Sequence, residues 1–505
     1  MNSKHIEIVH KRKEEVARRL DRNWAIEQEG PILRGGNIHY EVAEKTRAVG
    51  CGGLGLMQQL VKKLGVAQAI DERVEVLKRH QPYYESDHVL NLIYNVASGG
   101  LCLQDVEHRR QDGSYLEALG ADKIPAPSTE GDFLRRFSAE DVEDLMEAFN
   151  AARLKVWKQQ GESFLERADI DVDGTVAPTW GECKQGMGLS YQGEWGYGPL
   201  ILSLANSNEV LYTVNRSANR PSHEGAAEWL DRSVELVRRG GFRAVRLRGD
   251  TDFSLTRHFD RWTEDGVEFV FGMDAHPSFV KRAQSLDQER WTELVRVPRQ
   301  KAQSEARQRP SNVKEQIVRE REYKNLSLAK EEVAEWEYRP VRAQKSYRMI
   351  ALRKTIQVHK GQQRLFDEVR YHFYVTNVAS EELNTPEVVF ENNGRCNQEN
   401  VIEQLKNGVQ ALRMPSDTLL SNWAYLVIAA QAWNLKAWLG LVLPPELGAR
   451  KLIRMEFRRF LQQVIQFPCQ ILRTGRRLVF RLLNVNGWSR LLLEGSLWLR
   501  HHRFG

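Results

Sequence analysis

Two acidic residues, each at the end of a strand-like run, restrict the possible folds of this chain more than any other sequence feature. The first run ends in Asp173, followed by Gly174-Thr175, and the second ends in Arg248-Gly249-Asp250. Strand-like runs and one helical run separate the two acids, so both belong to one folded unit. The two acidic strand ends are therefore the candidate functional site of the chain.

The segments around these acids define an order of elements. Ser207-Asn208 predicts a hairpin turn, and apolar residues at helical spacing over 223–239 predict a helix that Ser222 caps. The order β-β-β-α-β-α-β, an antiparallel unit followed by parallel strands and helices, is that of the ribonuclease-H fold. The predicted strands cover residues 167–175, 198–206, 209–216, 242–247 and 267–273.

Composition excludes several classes of protein. With 505 residues, 41% hydrophobic and 28% charged, the chain is typical of a globular protein with two or three domains. Its five cysteines form no CxxC pair and no zinc spacing, and residues 1–22 are too charged for a signal peptide, so we expect a cytoplasmic setting. The most apolar window, 423–439, contains Gln431, Asn434 and Lys436, which predicts a buried helix rather than a membrane span.

Positive charge is concentrated near the C-terminus. The whole chain has a formal charge of +6, whereas residues 450–505 contain twelve Arg or Lys residues against Glu456 and Glu494. Such a basic tail predicts a polyanionic partner such as DNA, and a solvated basic surface would give the same pattern.

The region before residue 160 has mostly helical spacing. Ser138 and Asp141 resemble a capping box, and the break at 125–127 precedes a short helix containing Phe133 and Phe137. Two short helices around such a turn either form a DNA-binding helix-turn-helix or pack as ordinary helices. The helical patterns cover residues 54–70, 88–98 and 140–158.

After residue 276 the pattern changes. Residues 280–345 are rich in charged residues and glutamine, and strands are predicted over 346–359 and 368–376, which together indicate a β-rich insertion. The missing closing helix of the core is predicted over 398–412. Its apolar stripe consists of Ile402, Leu405, Val409 and Leu412, and its polar side carries Arg395, Glu399 and Lys406. A salt-bridged surface helix would have the same pattern.

Asp173, Asp250 and Glu399 are the predicted catalytic and metal-binding acids. Phosphodiester chemistry uses hard oxygen ligands that hold two magnesium ions about 4 Å apart. Asp169 and Asp171 share a strand face with Asp173 by two-residue alternation, so either could be a supporting acid or the true ligand. Asp173 is preferred because it precedes Gly-Thr.

At these residues the chain resembles a known family. The segments 173–175 and 248–253 fit its first and second Asp motifs, and Arg395, Glu399 and Lys406 fit its signature Tyr-x2-Arg-x3-Glu-x6-Lys. The resemblance, from about Leu54 into the basic tail, is to bacterial insertion-sequence transposases of the DDE class, with a ribonuclease-H-like core and a β-rich insertion.

Two residues depart from the family pattern. Asn392 stands where the signature has Tyr, and Asp252 stands in the second motif where a small residue is common. The three acids of the motif are intact.

The resemblance implies a set of roles. Asp173, Asp250 and Glu399 would bind two Mg²⁺ ions, which Mn²⁺ could replace, and Arg395 and Lys406 would contact DNA phosphates near the cleaved transposon end. In the family, water attacks the phosphodiester at the element's end, and the freed 3′-hydroxyl then attacks target DNA. The implied partners are the terminal inverted repeats, target DNA and a second copy of the chain in a homodimeric synaptic complex, with no membrane.

Some family members insert an aromatic residue of the insertion where a base is flipped. Trp336 is the candidate here, followed by Trp291, because Trp336 lies in a polar, basic stretch. Packing within a core is the alternative role for either tryptophan.

Two other functions use the same residues. The segment 171–175 also resembles the nucleophile motif of haloacid-dehalogenase-type phosphatases, in which Asp171 would be the nucleophile and Asp173 the general acid. A catalytically inactive protein that only binds DNA ends is the other alternative. The phosphatase gives no role to Glu399, and the intact acids argue against inactivity.

The predicted fold class is thus α/β, a ribonuclease-H-like mixed sheet core interrupted by a β-rich insertion, with a helical N-terminal domain and a basic C-terminal region. We expect a bacterial, nucleoid-associated location in the cytoplasm. The predicted parts are a DNA-binding domain (1–160), the first part of the core (161–276), the insertion (277–388), the closing helices (389–440) and the C-terminal region (441–505).

Overall fold

The computed structural model describes residues 3–21, 32, 37–181, 183–296, 324–360, 363–475 and 477–504. The protein has a mixed α/β fold that combines many helices with one large mixed sheet. Parts of four predicted segments lie outside the described residues: 1–2, 22–31 and 33–36 of the N-terminal domain, 182 of the core, 297–323 and 361–362 of the insertion, and 476 and 505 of the basic tail.

The region before residue 160 is helical, as its apolar spacing predicts. It contains the short strand β1 (Ala48–Val49) and the helices α1 (Ser3–Leu20), α2 (Leu54–Leu64), α3 (Val66–Asp71), α4 (Glu85–Ala97), α5 (Val106–Gln111), α6 (Gly113–Leu119), α7 (Pro127–Leu134) and α8 (Ala139–Trp157). The predicted capping box begins α8: the Asp141 backbone N–H donates to Ser138 Oγ at 3.2 Å, and the Ser138 N–H donates to Asp141 Oδ2 at 2.8 Å.

The candidate helix-turn-helix is formed by α7 and α8, and its aromatic residues face inward. Phe133 and Phe137 are buried and meet edge to face, with 5.2 Å between ring centroids. His88 of α4 stacks on Phe133 at 4.3 Å, and its Nδ1 lies 3.0 Å from Oε2 of buried Glu130. These side chains serve helix packing, as they would in either arrangement, so the DNA-binding helix-turn-helix stays a prediction.

The two acidic strand ends belong to the large sheet. Its strands over 167–273 follow the order β7-β6-β2-β8-β9, in which β6 is antiparallel to β2 and β7, whereas β2, β8 and β9 run parallel. The strands of this part of the large sheet and the helices between them follow the predicted order, and three short strands that were not predicted lie between its first and second strands. The elements are α9 (Glu162–Leu165), β2 (Arg167–Gly174), β3 (Ala177–Pro178), β4 (Gly188–Leu189), β5 (Trp195–Tyr197), β6 (Leu200–Leu204), β7 (Glu209–Val214), α10 (Ala226–Arg239), β8 (Ala244–Gly249), α11 (Phe259–Glu264) and β9 (Val267–Met273).

The turns in this region differ from the prediction at one point. The hairpin at Ser207-Asn208 is present, with Asn208 in the left-handed region at a φ of 57°. Ser222, however, does not cap α10, which begins after Gly225 at a φ of 73°. The reason is that the Arg216 guanidinium binds the carbonyl oxygens of Ser222 and Glu224, at 3.0 and 2.6 Å, and holds this segment in a turn.

The predicted insertion extends the same sheet. Its elements are α12 (Pro277–Gln284), β10 (Thr292–Glu293), β11 (Lys324–Tyr338), β12 (Tyr347–Lys360) and β13 (Gln363–Thr376), and the sheet continues in the order β9-β13-β12-β11-β10. β12 and β13 were predicted, but β11 was not, because its charged residues conceal the alternation. Glu331 and Glu332 are buried in β11, where Arg296 and Arg353 bind them through salt bridges.

The closing helix is broken rather than continuous. The elements are α13 (Thr385–Gly394), α14 (Cys396–Glu403), a π-helical turn (Gln404–Gly408) and a 3₁₀ turn (Ala411–Arg413). The predicted apolar stripe is buried. The regular helix ends before Gln404, whose side-chain oxygen accepts a hydrogen bond from the Phe457 backbone at 2.8 Å, and Gln410 adopts a φ of 56°.

The apolar window forms the buried helix α15 (Leu419–Val442), as predicted. Among the described residues, no helix is both long enough and apolar enough to span a membrane. Lys436 donates to the carbonyl oxygens of Leu452, Ile453 and Met455, at 2.9, 3.0 and 2.7 Å. Burial lowers the pKa of Lys436 well below its usual value.

The basic C-terminal region is folded onto the N-terminal helices. It contains α16 (Phe457–Phe460), β14 (Cys469–Thr474), β15 (Arg477–Leu482) and α17 (Ser489–His501). β14 pairs with β1, with Val49 opposite Cys469. Lys63 of α2 donates to the carbonyl oxygens of Arg500 and His502, both at 3.0 Å.

Glu209, the first residue of β7, connects the large sheet to two helices. Its buried carboxylate accepts hydrogen bonds from Arg153 Nε at 3.1 Å and from the indole nitrogens of Trp157 and Trp438 at 2.9 and 2.7 Å. Arg153 and Trp157 belong to α8 and Trp438 to α15, so one carboxylate joins three elements.

We predict that Glu209→Gln lowers the free energy of unfolding by about 3 kcal/mol, because Arg153 is left as an uncompensated buried charge. Denaturant unfolding followed by circular dichroism measures the change. Glu235→Gln, at an exposed position of α10, is the matched control and should change the same quantity by less than about 0.5 kcal/mol. Equal stability of the two variants would contradict the role of Glu209.

Candidate active site

Asp173 and Asp250 lie at the same edge of the large sheet. Asp173 is near the carboxyl end of β2, and Asp250 directly follows the parallel neighbouring strand β8. Both line a cleft of about 1150 Å³. The sequence prediction that these two acids converge is thus met by the positions of their strands.

The surroundings of these acids disfavour their ionised forms. Burial, and next the charge of Asp250, raise the pKa of Asp173 to about 6, although Arg395 acts in the opposite direction. Burial also raises the pKa of Asp250, with Asp252 and Asp274 contributing negative charge. Arg395 Nη1 lies 3.3 Å from Asp173 Oδ2, so one cation partly neutralises the pair.

Glu399 and Lys406 follow Arg395 along the closing segment. Glu399 is an exposed residue of α14 whose charge contributes to the raised pKa of Asp173, but it does not line the cleft. Lys406, in the π-helical turn, lines the cleft with Asp173 and Asp250. Asp173, Asp250, Arg395 and Lys406 therefore converge, with Glu399 nearby.

The residues at the cleft suit a hard divalent cation in their chemistry. Over the described ranges, no three His, Cys, Asp or Glu side chains are close enough together to hold a metal ion. Asp173 and Asp250 nevertheless supply oxygen donors that are partly buried, repel each other and have raised pKa values, and a bound cation relieves this repulsion.

Asp171 is separated from this chemistry by an ion pair. It is buried, and both of its carboxylate oxygens are bound by Arg248, at 2.7 and 2.9 Å. Burial alone would lower the pKa of Arg248, but the charge of Asp171 raises it above its usual value, so the guanidinium stays charged. Asp169 pairs with Arg167 at 2.8 Å. With Asp171 bound in this way, the phosphatase alternative, in which Asp171 is the nucleophile, is not favoured.

Helix α13 is attached to the same strands by two residues. Glu391 Oε1 lies 2.9 Å from Arg248 Nη1. Asn392, which stands where the family signature has Tyr, is buried and donates from Nδ2 to the carbonyl oxygens of Gly249 and Val270, at 3.3 and 3.5 Å. Asn392 thus contacts the backbone immediately before Asp250.

Sequence reasoning missed several residues at the cleft. Asp274 follows β9 and adds negative charge near Asp250, and its position after a predicted parallel strand was a usable signal. Asp252, noted only as a departure from the motif, lines the cleft, and its backbone N–H donates to Asp250 Oδ1 at 3.0 Å. Three arginines of the cleft lie outside the motifs and had no such signal: Arg216, Arg220 and Arg413.

The two tryptophans of the insertion lie outside this cleft. Trp336 is partly buried in β11 and meets Phe373 edge to face, with 6.1 Å between centroids. Trp291 is buried beneath the Arg353 guanidinium, 4.1 Å from its ring centroid. Neither ring is among the residues that line the cleft around Asp173.

The chain is similar to known transposases in one solved structure and in a family profile. Among solved structures, the chain is similar to the piggyBac transposase in a synaptic complex with hairpin DNA, at 9% sequence identity and a TM-score of 0.35, over 90% of this chain and 86% of that chain. Comparison with curated proteins found no match. The family profile described as "Transposase DDE domain group 1" matches residues 44–503. Since this match covers most of the chain, the protein belongs to the DDE transposase family.

Proposed function

We propose that this protein is the transposase of a bacterial insertion sequence, and that it cleaves and joins DNA strands at the terminal inverted repeats of the element. The observation that carries the proposal is the pair of carboxylates, Asp173 and Asp250, at neighbouring parallel strand ends in a cleft that also contains Lys406. Carboxylates bind metal ions, and basic side chains bind phosphates. The cleft therefore combines metal binding with phosphate binding, the two requirements of phosphodiester chemistry.

The strand order supports the proposal that the core is ribonuclease-H-like. β2 is central, β6 and β7 continue on its antiparallel side, and β8 and β9 continue on its parallel side. In the proposed layout of five parts, residues 1–160 and 441–505 share a sheet through β1 and β14, and we infer that together they bind the element's ends.

Asp173, Asp250 and Glu399 would hold two Mg²⁺ ions, or Mn²⁺ in their place. Bound cations of this kind stabilise charge on the attacking and leaving oxygens of a phosphodiester. Asp173 gives up its proton before it acts as a ligand, and Arg395 favours that loss through its charge. Lys406 is available in the cleft for a phosphate of the DNA backbone.

The proposed reaction has two displacements at phosphorus. Water first attacks the phosphodiester at the element's end, the bond to the leaving 3′ oxygen breaks, and a 3′-hydroxyl is released. That hydroxyl then attacks a phosphodiester of target DNA, forming a new bond as the target strand is cut. The protein positions both strands without a covalent intermediate, and two copies of the chain would hold the two ends.

Trp336 is a proposed base contact outside the cleft.

We predict that Asp173→Asn, Asp250→Asn and Glu399→Ala each reduce Mg²⁺-dependent cleavage of an element-end duplex by about a thousandfold or more, because each removes a proposed ligand. DNA binding, measured by fluorescence anisotropy, should remain because the fold and the cleft cations are retained. Glu403→Ala, an exposed acid of the same helix as Glu399, is the control and should cleave normally. An active Glu399→Ala protein would remove Glu399 from the ligand set.

A second prediction concerns pH. Without metal, Asp173 is protonated below about pH 6, so Mn²⁺ binding should release a proton at pH 5.5 and none from this residue at pH 8. Calorimetry in two buffers of different ionisation enthalpy measures the release. Asp173→Asn should abolish it, and apparent affinity of the native protein should rise with pH up to about 6 and then level off. Proton release unchanged in Asp173→Asn would contradict the assignment.

The third prediction concerns salt. Binding to an element-end duplex should weaken steeply as salt rises, and Lys406→Gln should reduce the logarithmic salt slope by about one, because one phosphate contact is lost. Lys158→Gln, at an exposed position after α8, is the matched control and should leave the slope unchanged. Identical slopes for both variants would exclude Lys406 from the DNA path.

A further inference from the structure

A small antiparallel sheet next to the first acid carries unusually exposed aromatic rings. It consists of β3, β5 and β4 in that order, and it begins three residues after Gly174. Tyr191 is 90% exposed, Trp195 54% and Trp180 84%. Large aromatic side chains usually bury most of their surface, so several exposed rings in one short segment indicate a binding surface.

Hydrogen bonds to backbone carbonyls hold this segment together. The Ser190 N–H donates to the Glu194 carbonyl at 2.8 Å, and the Gly193 N–H donates to the Ser190 carbonyl at 2.9 Å. Gly193 closes the turn with a φ of 82°, which favours glycine. The hydroxyl of buried Tyr197 donates to the Gln185 carbonyl at 2.8 Å and ties the sheet together. Tyr191 is thus held at the tip of an ordered hairpin.

The hairpin tip belongs to the cleft of the proposed reaction. Tyr191 lines the cleft that contains Asp173 and Asp250. Lys406 lines it as well, so an aromatic ring, a cation and acidic side chains share one space. Trp195 lies four residues beyond Tyr191, opposite Leu189 in the β4–β5 pairing, and Leu189 is also exposed.

We propose that Tyr191 and Trp195 form a stacking platform for unpaired bases of the DNA strand whose phosphodiester reacts in the cleft. The proposal rests on the proposed transposase function and adds a base-binding site to it. Cationic side chains of the cleft bind DNA phosphates, and exposed aromatic rings stack on the faces of bases. This combination binds single-stranded DNA with little sequence preference. Within a duplex the base faces are covered by neighbouring base pairs, so the ligand is DNA that has opened at the cleavage site.

The full-length protein can be tested with two DNA probes that share one duplex. One probe is blunt, and the other carries a short single-stranded oligothymidylate overhang. We expect the native protein to prefer the overhang probe, and Tyr191→Ala with Trp195→Ala to lose that preference by about tenfold to a hundredfold while blunt-duplex affinity stays the same. Tyr191→Phe with Trp195→Phe should retain it, because stacking needs the ring alone. Thermal melts check that all variants are folded.

Trp336→Ala is the comparison variant. Loss of the preference in Trp336→Ala, with the Tyr191 and Trp195 variant unaffected, would assign stacking to the insertion and overturn the proposal. No preference in the native protein would overturn it as well. Cleavage of an element-end duplex by the native protein distinguishes failure of the stacking platform from failure of the proposed function. If the native protein cleaves and the platform variant still prefers the overhang, only the platform is wrong. If the native protein neither binds nor cleaves the duplex, the proposed function fails.

Discussion

The salt bridge between Asp171 and Arg248 is the interaction on which the candidate site depends. It lies between the neighbouring strands β2 and β8, two residues before each acid of the cleft, and Arg248 also binds Glu391 of α13. Loss of either partner would leave a buried charge without compensation, at a cost of about 3–5 kcal/mol. One guanidinium therefore keeps two strand ends in register and attaches the helix that precedes Arg395 and Glu399.

Stability and chemistry make opposite demands at this edge of the sheet. Asp173 and Asp250 are held close together and partly buried, and their raised pKa values are the sign of that unfavourable arrangement. A well-satisfied buried charge elsewhere stabilises the fold that imposes it: the Glu209 carboxylate is bound by residues of α8 and α15. The cleft thus carries electrostatic repulsion between two acids, which a bound cation would relieve.

Local patterns were sufficient for much of the fold. Alternation predicted the strands that carry Asp173 and Asp250, and polar residues within an apolar run predicted the buried helix α15. Long-range contacts account for most of what was missed. The charged strand β11 depends on distant salt bridges, and the turn around Ser222 depends on Arg216. At the site, the strand pattern predicted that Asp173 and Asp250 meet, whereas Glu399 does not line the cleft, and the arginines and Tyr191 reach it only through tertiary structure.

The pairing of β1 with β14 has a consequence for synthesis of the chain. Val49 emerges from the ribosome 420 residues before its partner Cys469. The surface of the helices that follow β1 stays uncovered until β14 and α17 have been synthesised. The large sheet lies between these segments in sequence and can fold earlier. A nascent chain would therefore complete the region around β1 only after residue 469 is made, and termination before that residue would leave the region open to chaperones and proteases.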